Sequence, residues 1–146
     1  MSAETDRPRP WTIVDFERIM LGSLAAGLLV TGFYWDAMIA SQEAAGNAQS
    51  IGVALFSVLF GFGLNIGLTL LISRRRSTIA KWIAIGLFVL GLPLTFGILV
   101  SNMSPVPPAI PLLQTFVRLV AYALLFTPSA RRWLKREPEI APEIFR

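Results

Sequence analysis

Arg118 stands inside an apolar stretch that runs from about Pro111 to Thr127, with Gln114 four residues before it and Tyr122 four residues after. On a helix that spacing places all three on one stripe. Asn65 and Thr69 make a shorter stripe of the same kind within the apolar run from Ile51 to Ile72. A guanidinium at the centre of a membrane helix costs about 2.5–3.5 kcal/mol on insertion scales, so it turns to a partner, to water or to the interface. The chemistry on offer is recognition. With Asn65 facing it across a bundle, Arg118 would hold an anion, a lipid headgroup or a partner's carboxylate. Two structural readings carry more weight on residue depth alone. Arg118 lies seven residues past Pro111, about 10 Å of helix, so its side chain can snorkel to the interface. Or it pairs with Asp36, which closes the first apolar run near the same face.

Catalytic chemistry has little to draw on. The chain of 146 residues holds no cysteine and no histidine, which removes disulfides, thiolate nucleophiles, ordinary zinc sites and the usual general acid–base residue. Glu17, Asp36, Arg118 and Tyr122 fall on different apolar runs or at opposite ends of them, and no nucleophile–base pair stands out. The expectation is a protein without catalytic residues and without a cofactor. Asp36 and Glu43, seven residues apart, fall far short of a calcium loop, so no metal site is expected. No Asp or Glu lies within an apolar run, which disfavours a proton-coupled carrier. An oligomeric transporter or channel with an anion path through Arg118 stays as the alternative to an accessory or lipid-associated protein.

The elements that must position these residues are membrane helices. Hydrophobic residues make up 54% of the chain and charged ones 15%, and the mean hydropathy is +0.62. Uncharged runs at about 19–35, 51–72, 82–103 and 111–127 predict four spans, the third with Pro93 inside it and the last the weakest because of Arg118. The fold class is thus an all-α integral membrane protein, a four-helix bundle occupying residues 12–127. A disordered polar tail, residues 1–11, precedes it, and a basic tail, residues 128–146, follows. Thr12 with Asp15 reads as a capping box, and Trp11 with Phe16 as a hydrophobic staple. The first run lacks a cleavage-site pattern, since Met38 fills the small-residue position before Ala40, and reads as a retained anchor. Residues 36–50 read as a loop, and the prolines at 105, 107, 108 and 111 predict a stiff connector. Thr127 followed by Pro128 predicts the start of a short amphipathic helix lying along the membrane surface.

Charge sets the topology. Twelve of the thirteen Lys and Arg residues lie before the first run, between the second and third, or after the fourth; none lies in the other two connections. The positive-inside rule then puts both termini in the cytoplasm. Arg74, Arg75, Arg76, Lys81, Arg131, Arg132 and Lys135 are candidate contacts for anionic lipid, although topology alone explains such clusters. With the basic residues placed at span ends, lipid headgroups are the expected partner and nucleic acid is not. A protein partner in the membrane and a homo-oligomer remain open. Ser23, Gly27 and Thr31, and likewise Ser57 and Gly61, are small residues at four-residue spacing, which suits close helix contact within the bundle rather than a dimer seam. Gly61, Gly63 and Gly67 do not match a nucleotide-binding spacing.

Several patches together resemble a family of uncharacterised small bacterial proteins with four predicted transmembrane helices. They are Phe16-Glu17-Arg18 and Trp35-Asp36 at the ends of the first run, Ser73-Arg74-Arg75-Arg76 through Lys81-Trp82, and Leu125-Phe126-Thr127-Pro128 through Ala130-Arg131. The resemblance implies the same four spans and a bacterial inner membrane. It implies no activity.

Overall fold

The computed structural model describes residues 9–46, 50–100 and 104–135, and the side chains of 98 and 99 are not among those described. Within them the chain is all helix, in the order α1 (Trp11–Phe33), α2 (Trp35–Ala44), α3 (Ile51–Arg75), α4 (Thr78–Val100), α5 (Ala109–Leu124) and α6 (Pro128–Lys135). Residues 1–8 of the tail expected at 1–11, residues 136–146 of that expected at 128–146, and the last residues of the third expected span lie outside the described residues.

Two helices, α3 and α4, are long and apolar enough to cross a membrane. Helices α5 and α6 meet that standard only as a pair, joined at a 64° bend. The outward surfaces of α3 and α4 are apolar: Leu55, Phe56, Leu59, Phe60, Leu90 and Leu94 are all exposed. A surface of that composition is matched to lipid and poorly matched to water. At 16 residues, α5 is about 24 Å long, short of a full hydrocarbon thickness.

Helix α1 packs against α3 and α5, α3 packs against α4, and α6 returns to touch α1, whereas α4 and α5 have no comparable packing against each other. The buried core sits at one end. Ile13, Phe16 and Met20 of α1 meet Ile72 of α3, Ala80 of α4 and Leu125 just past α5. This end also carries the arginine cluster, and it is called the basic end below; the opposite end carries α2 and the proline connector.

Four local expectations are corrected. Thr12 is not the N-cap of α1: the helix begins at Trp11, and the Pro10 carbonyl accepts from Ile13 and Val14 N–H groups. The Thr12 hydroxyl instead meets Ser129 Oγ at 3.1 Å, tying α1 to α6. No staple forms, because Trp11 is exposed while Phe16 is fully buried. The segment read as a loop at 36–50 holds a ten-residue helix, α2. Ala37, Met38, Ala40, Gln42, Glu43 and Ala44 are good helix formers, and Asp36 lies in the first turn where the dipole favours an acid. The expected proline connector bends instead of running straight, with Ser104 Oγ accepting from Val106 N–H at 3.2 Å.

At the basic end the α5–α6 junction follows from Pro128. Proline has no N–H to give the Leu124 carbonyl, and the Thr127 hydroxyl donates to it at 2.7 Å. Thr127 Oγ1 also accepts from Ala130 N–H at 3.4 Å, so Thr127 caps α6 as its sequence position predicts. The Leu125 carbonyl accepts from Lys81 Nζ at 2.9 Å.

Candidate functional site, a polar cleft at Arg118

Above the packed core, α3, α4 and α5 line a half-open cavity of about 210 Å³. The expected stripe on α5 forms one wall: Gln114, Arg118 and Tyr122 all line it, as helical spacing requires. Asn65 of α3 faces them, and Thr95 of α4 and Thr115 of α5 add hydroxyls. Leu87, Phe88 and Leu92 make the apolar part of the α4 wall. No carboxylate lines the cavity.

The commitments of these groups leave much of their hydrogen-bonding capacity unused. Arg118 is half-buried, and its Nε donates to Ser23 Oγ of α1 at 3.4 Å, a long contact. Its terminal nitrogens bond no other described residue. Asn65 Nδ2 donates to the Gly61 carbonyl at 2.8 Å, which leaves the amide oxygen for the cavity. Thr95 and Thr115 donate back to the Gly91 and Pro111 carbonyls at 3.0 and 2.8 Å, so their oxygens remain as acceptors. The Tyr122 ring is held between Phe16 and Phe88, with centroids 6.2 and 5.1 Å away. Thr69, expected beside Asn65, is buried below the cavity and donates to the Asn65 carbonyl at 2.8 Å.

Two further hollows adjoin this one. One of about 290 Å³ shares Asn65 and Arg118 and reaches Ser57 and Gly61. Another of about 230 Å³ shares Thr95, Pro111 and Gln114 and extends toward Val30, Met38 and Ile110. Gly27 lets α1 come close at this level, since a Cβ there would lie 3.4 Å from the Phe62 ring and 3.6 Å from Gln114 Nε2. The small residues of α1 thus serve contact inside the chain.

The expected pair of Asp36 with Arg118 is not formed. Asp36 is exposed in the first turn of α2, and both ion pairs among the described residues belong to Glu17. That carboxylate meets Arg9 at 2.8 Å and Arg74 at 3.4 Å. Burial opposes its ionisation, but the adjacent Ser73 hydroxyl and the two guanidinium groups outweigh burial and hold the carboxyl below its ordinary value. Ser73 Oγ lies buried against the carboxylate without closing a hydrogen bond of good geometry.

The basic residues divide. Arg75, Arg131 and Arg132 are exposed, and Arg132 Nε also reaches the Pro128 carbonyl at 3.4 Å. Arg76 stacks on Trp133 at 3.7 Å. Lys135 is exposed at the end of α6. Lys81, expected to meet lipid, is instead buried at 6% exposure, with Nζ on the Leu125 carbonyl and 4.0 Å from the Phe126 ring. No pattern in the sequence marks that role, because the carbonyl it serves is freed 44 residues away. Ser23 as the partner of Arg118 was equally hidden behind its small size. No protein-family model, no curated protein and no solved structure matches the chain.

Proposed function

We propose that the chain is a small, non-enzymatic protein of the bacterial inner membrane, with four spans and both termini in the cytoplasm, that binds an anionic group at Arg118. The placement of the basic residues supports the orientation. One observation carries the binding role. A half-buried guanidinium lies among Asn65, Gln114, Thr115 and Tyr122 with one long hydrogen bond and no carboxylate to balance it. A cation held in that way is costly unless a counter-charge or water completes it. Structural pairing would need a carboxylate within reach, and Asp36 is not within reach.

The alternative, an oligomeric carrier for a small anion, draws on the three adjoining hollows. Against it stands the closure at the basic end, where Lys81, Trp82 and Phe88 meet Leu125, Phe126 and Tyr122. That arrangement describes a blind cleft, which favours an accessory or lipid-associated role. Purification in lipid nanodiscs followed by native mass spectrometry tests the reading. Wild-type protein should retain an anionic species that Arg118→Gln loses; an unchanged set of bound species in the variant would contradict it.

A further inference from the structure

Helices α4 and α5 form a V. At the basic end they are pinned by the Lys81–Leu125 hydrogen bond, by Trp82 edge-on to Phe126 at 6.3 Å, and by Phe88 against Tyr122. Beyond Phe88 no hydrogen bond or ring contact joins them among the described residues, and the cavity occupies the gap. Arg118 lies one turn from the apex. The charged group is confined to that depth. The hollow leading on toward the far end shares Thr95 and Gln114 and also meets Thr31 and Ser104, but its wall is mostly apolar, from Val30 of α1, Met38 of α2, Val106 of the connector and Ile110 of α5. Outside the gap, Leu90 and Leu94 of α4 and Leu113 and Phe116 of α5 are exposed. A hydrated anion would gain nothing from such walls, while a hydrocarbon chain would lose nothing by lying along them.

We infer that the cleft between α4 and α5 seats an anionic amphiphile: a phosphate or carboxylate head on Arg118, Gln114 and Tyr122, with its hydrocarbon chain running toward the far end, along the mostly apolar hollow past Thr95 and Gln114 and the open side of the two helices. This rests on the anion-binding reading of Arg118 and adds the source of the anion and its route of entry. The planar guanidinium presents two parallel N–H groups to such a head. The open side of the V lets the ligand enter from the bilayer without crossing the sealed basic end. Gly91 lines the cavity from α4, and a Cβ placed there meets nothing within 4 Å, so the α4 wall is left open to the ligand.

Dodecyl phosphate is the probe, titrated against the full chain in dodecyl maltoside, with bound copies counted by native mass spectrometry. The neutral detergent, present in excess, controls for the chain alone. One copy per chain should bind saturably, and Arg118→Gln should weaken it about tenfold or more. Gly91→Leu, which fills the cleft from an unobstructed position, should weaken it comparably without lowering the unfolding temperature. Inorganic phosphate in hundredfold excess should not displace the probe. Displacement by inorganic phosphate, with Gly91→Leu binding as wild type, would overturn the amphiphile while leaving Arg118 as an anion site. Equal binding by wild type and Arg118→Gln, or no saturable binding at all, would overturn both. If Arg118→Gln does not fold, Gly91→Leu and the phosphate competition decide between these outcomes.

Discussion

Two charged side chains at the basic end are structural, and their substitution should show it. Lys81 donates to a carbonyl that no backbone N–H serves, so Lys81→Met leaves the Leu125 oxygen buried without that partner. The expected loss is about 1–3 kcal/mol, read as a lower denaturation midpoint in detergent micelles. An unchanged midpoint would mean that water replaces the ammonium. Glu17 titrates, and the sign of its effect follows from its lowered folded pKa. Its ion pairs contribute fully above the ordinary carboxylate range, and that contribution is lost as pH falls through the lowered value. Part of the acid destabilisation of the wild type should therefore vanish in Glu17→Gln. Because Arg9 and Arg74 are largely exposed, the difference at neutral pH should stay below about 1 kcal/mol. Unfolding temperatures of both proteins between about pH 7 and about pH 3 measure it.

Among the helices, α1 is the one that packs on most of the others, and Gly27 is the glycine of α1 at which an added Cβ would meet its neighbours. Gly27→Leu forces Phe62 and Gln114 aside and should cost about 1–3 kcal/mol. Gly22→Leu, on the same helix with nothing within 4 Å of the added Cβ, should cost little by the same thermal assay. Helix α6 is held by Ala130 and Leu134 in the core and by Trp133 under Arg76. Leu134→Glu should release it, seen as faster tryptic cleavage at Arg131 and Arg132 in the otherwise folded protein; unchanged cleavage would show α6 docked by other means. Much of this was legible beforehand. Helical period alone put Gln114, Arg118 and Tyr122 on one face, and Thr127-Pro128 announced the start of α6. Besides the Ser23 contact, two features were not legible. Helix α2 lacks the apolar run or cap that marks an element, and its formation rests on local propensity. The closure through Lys81 depends on two helices meeting, which no local pattern encodes.

For the whole molecule the proposed topology makes a separable prediction. The chain has no cysteine, so single cysteines report without background. Glu43→Cys on α2 and Arg75→Cys at the end of α3 are both exposed positions at opposite ends of the bundle. A membrane-impermeant thiol reagent should label the first in intact spheroplasts and the second only after permeabilisation. Labelling of both from one side would overturn the arrangement of spans.

The central claim is that Arg118 anchors a ligand in the α4–α5 cleft, and it is best tested in the native membrane. Leu87 lines the cavity and is partly exposed, so a photo-reactive phenylalanine analogue placed there would sample whatever occupies the gap. The predicted result is a covalent adduct with the mass of one lipid, abolished by Arg118→Gln. An adduct that persists in Arg118→Gln, or a protein adduct in its place, would contradict the account.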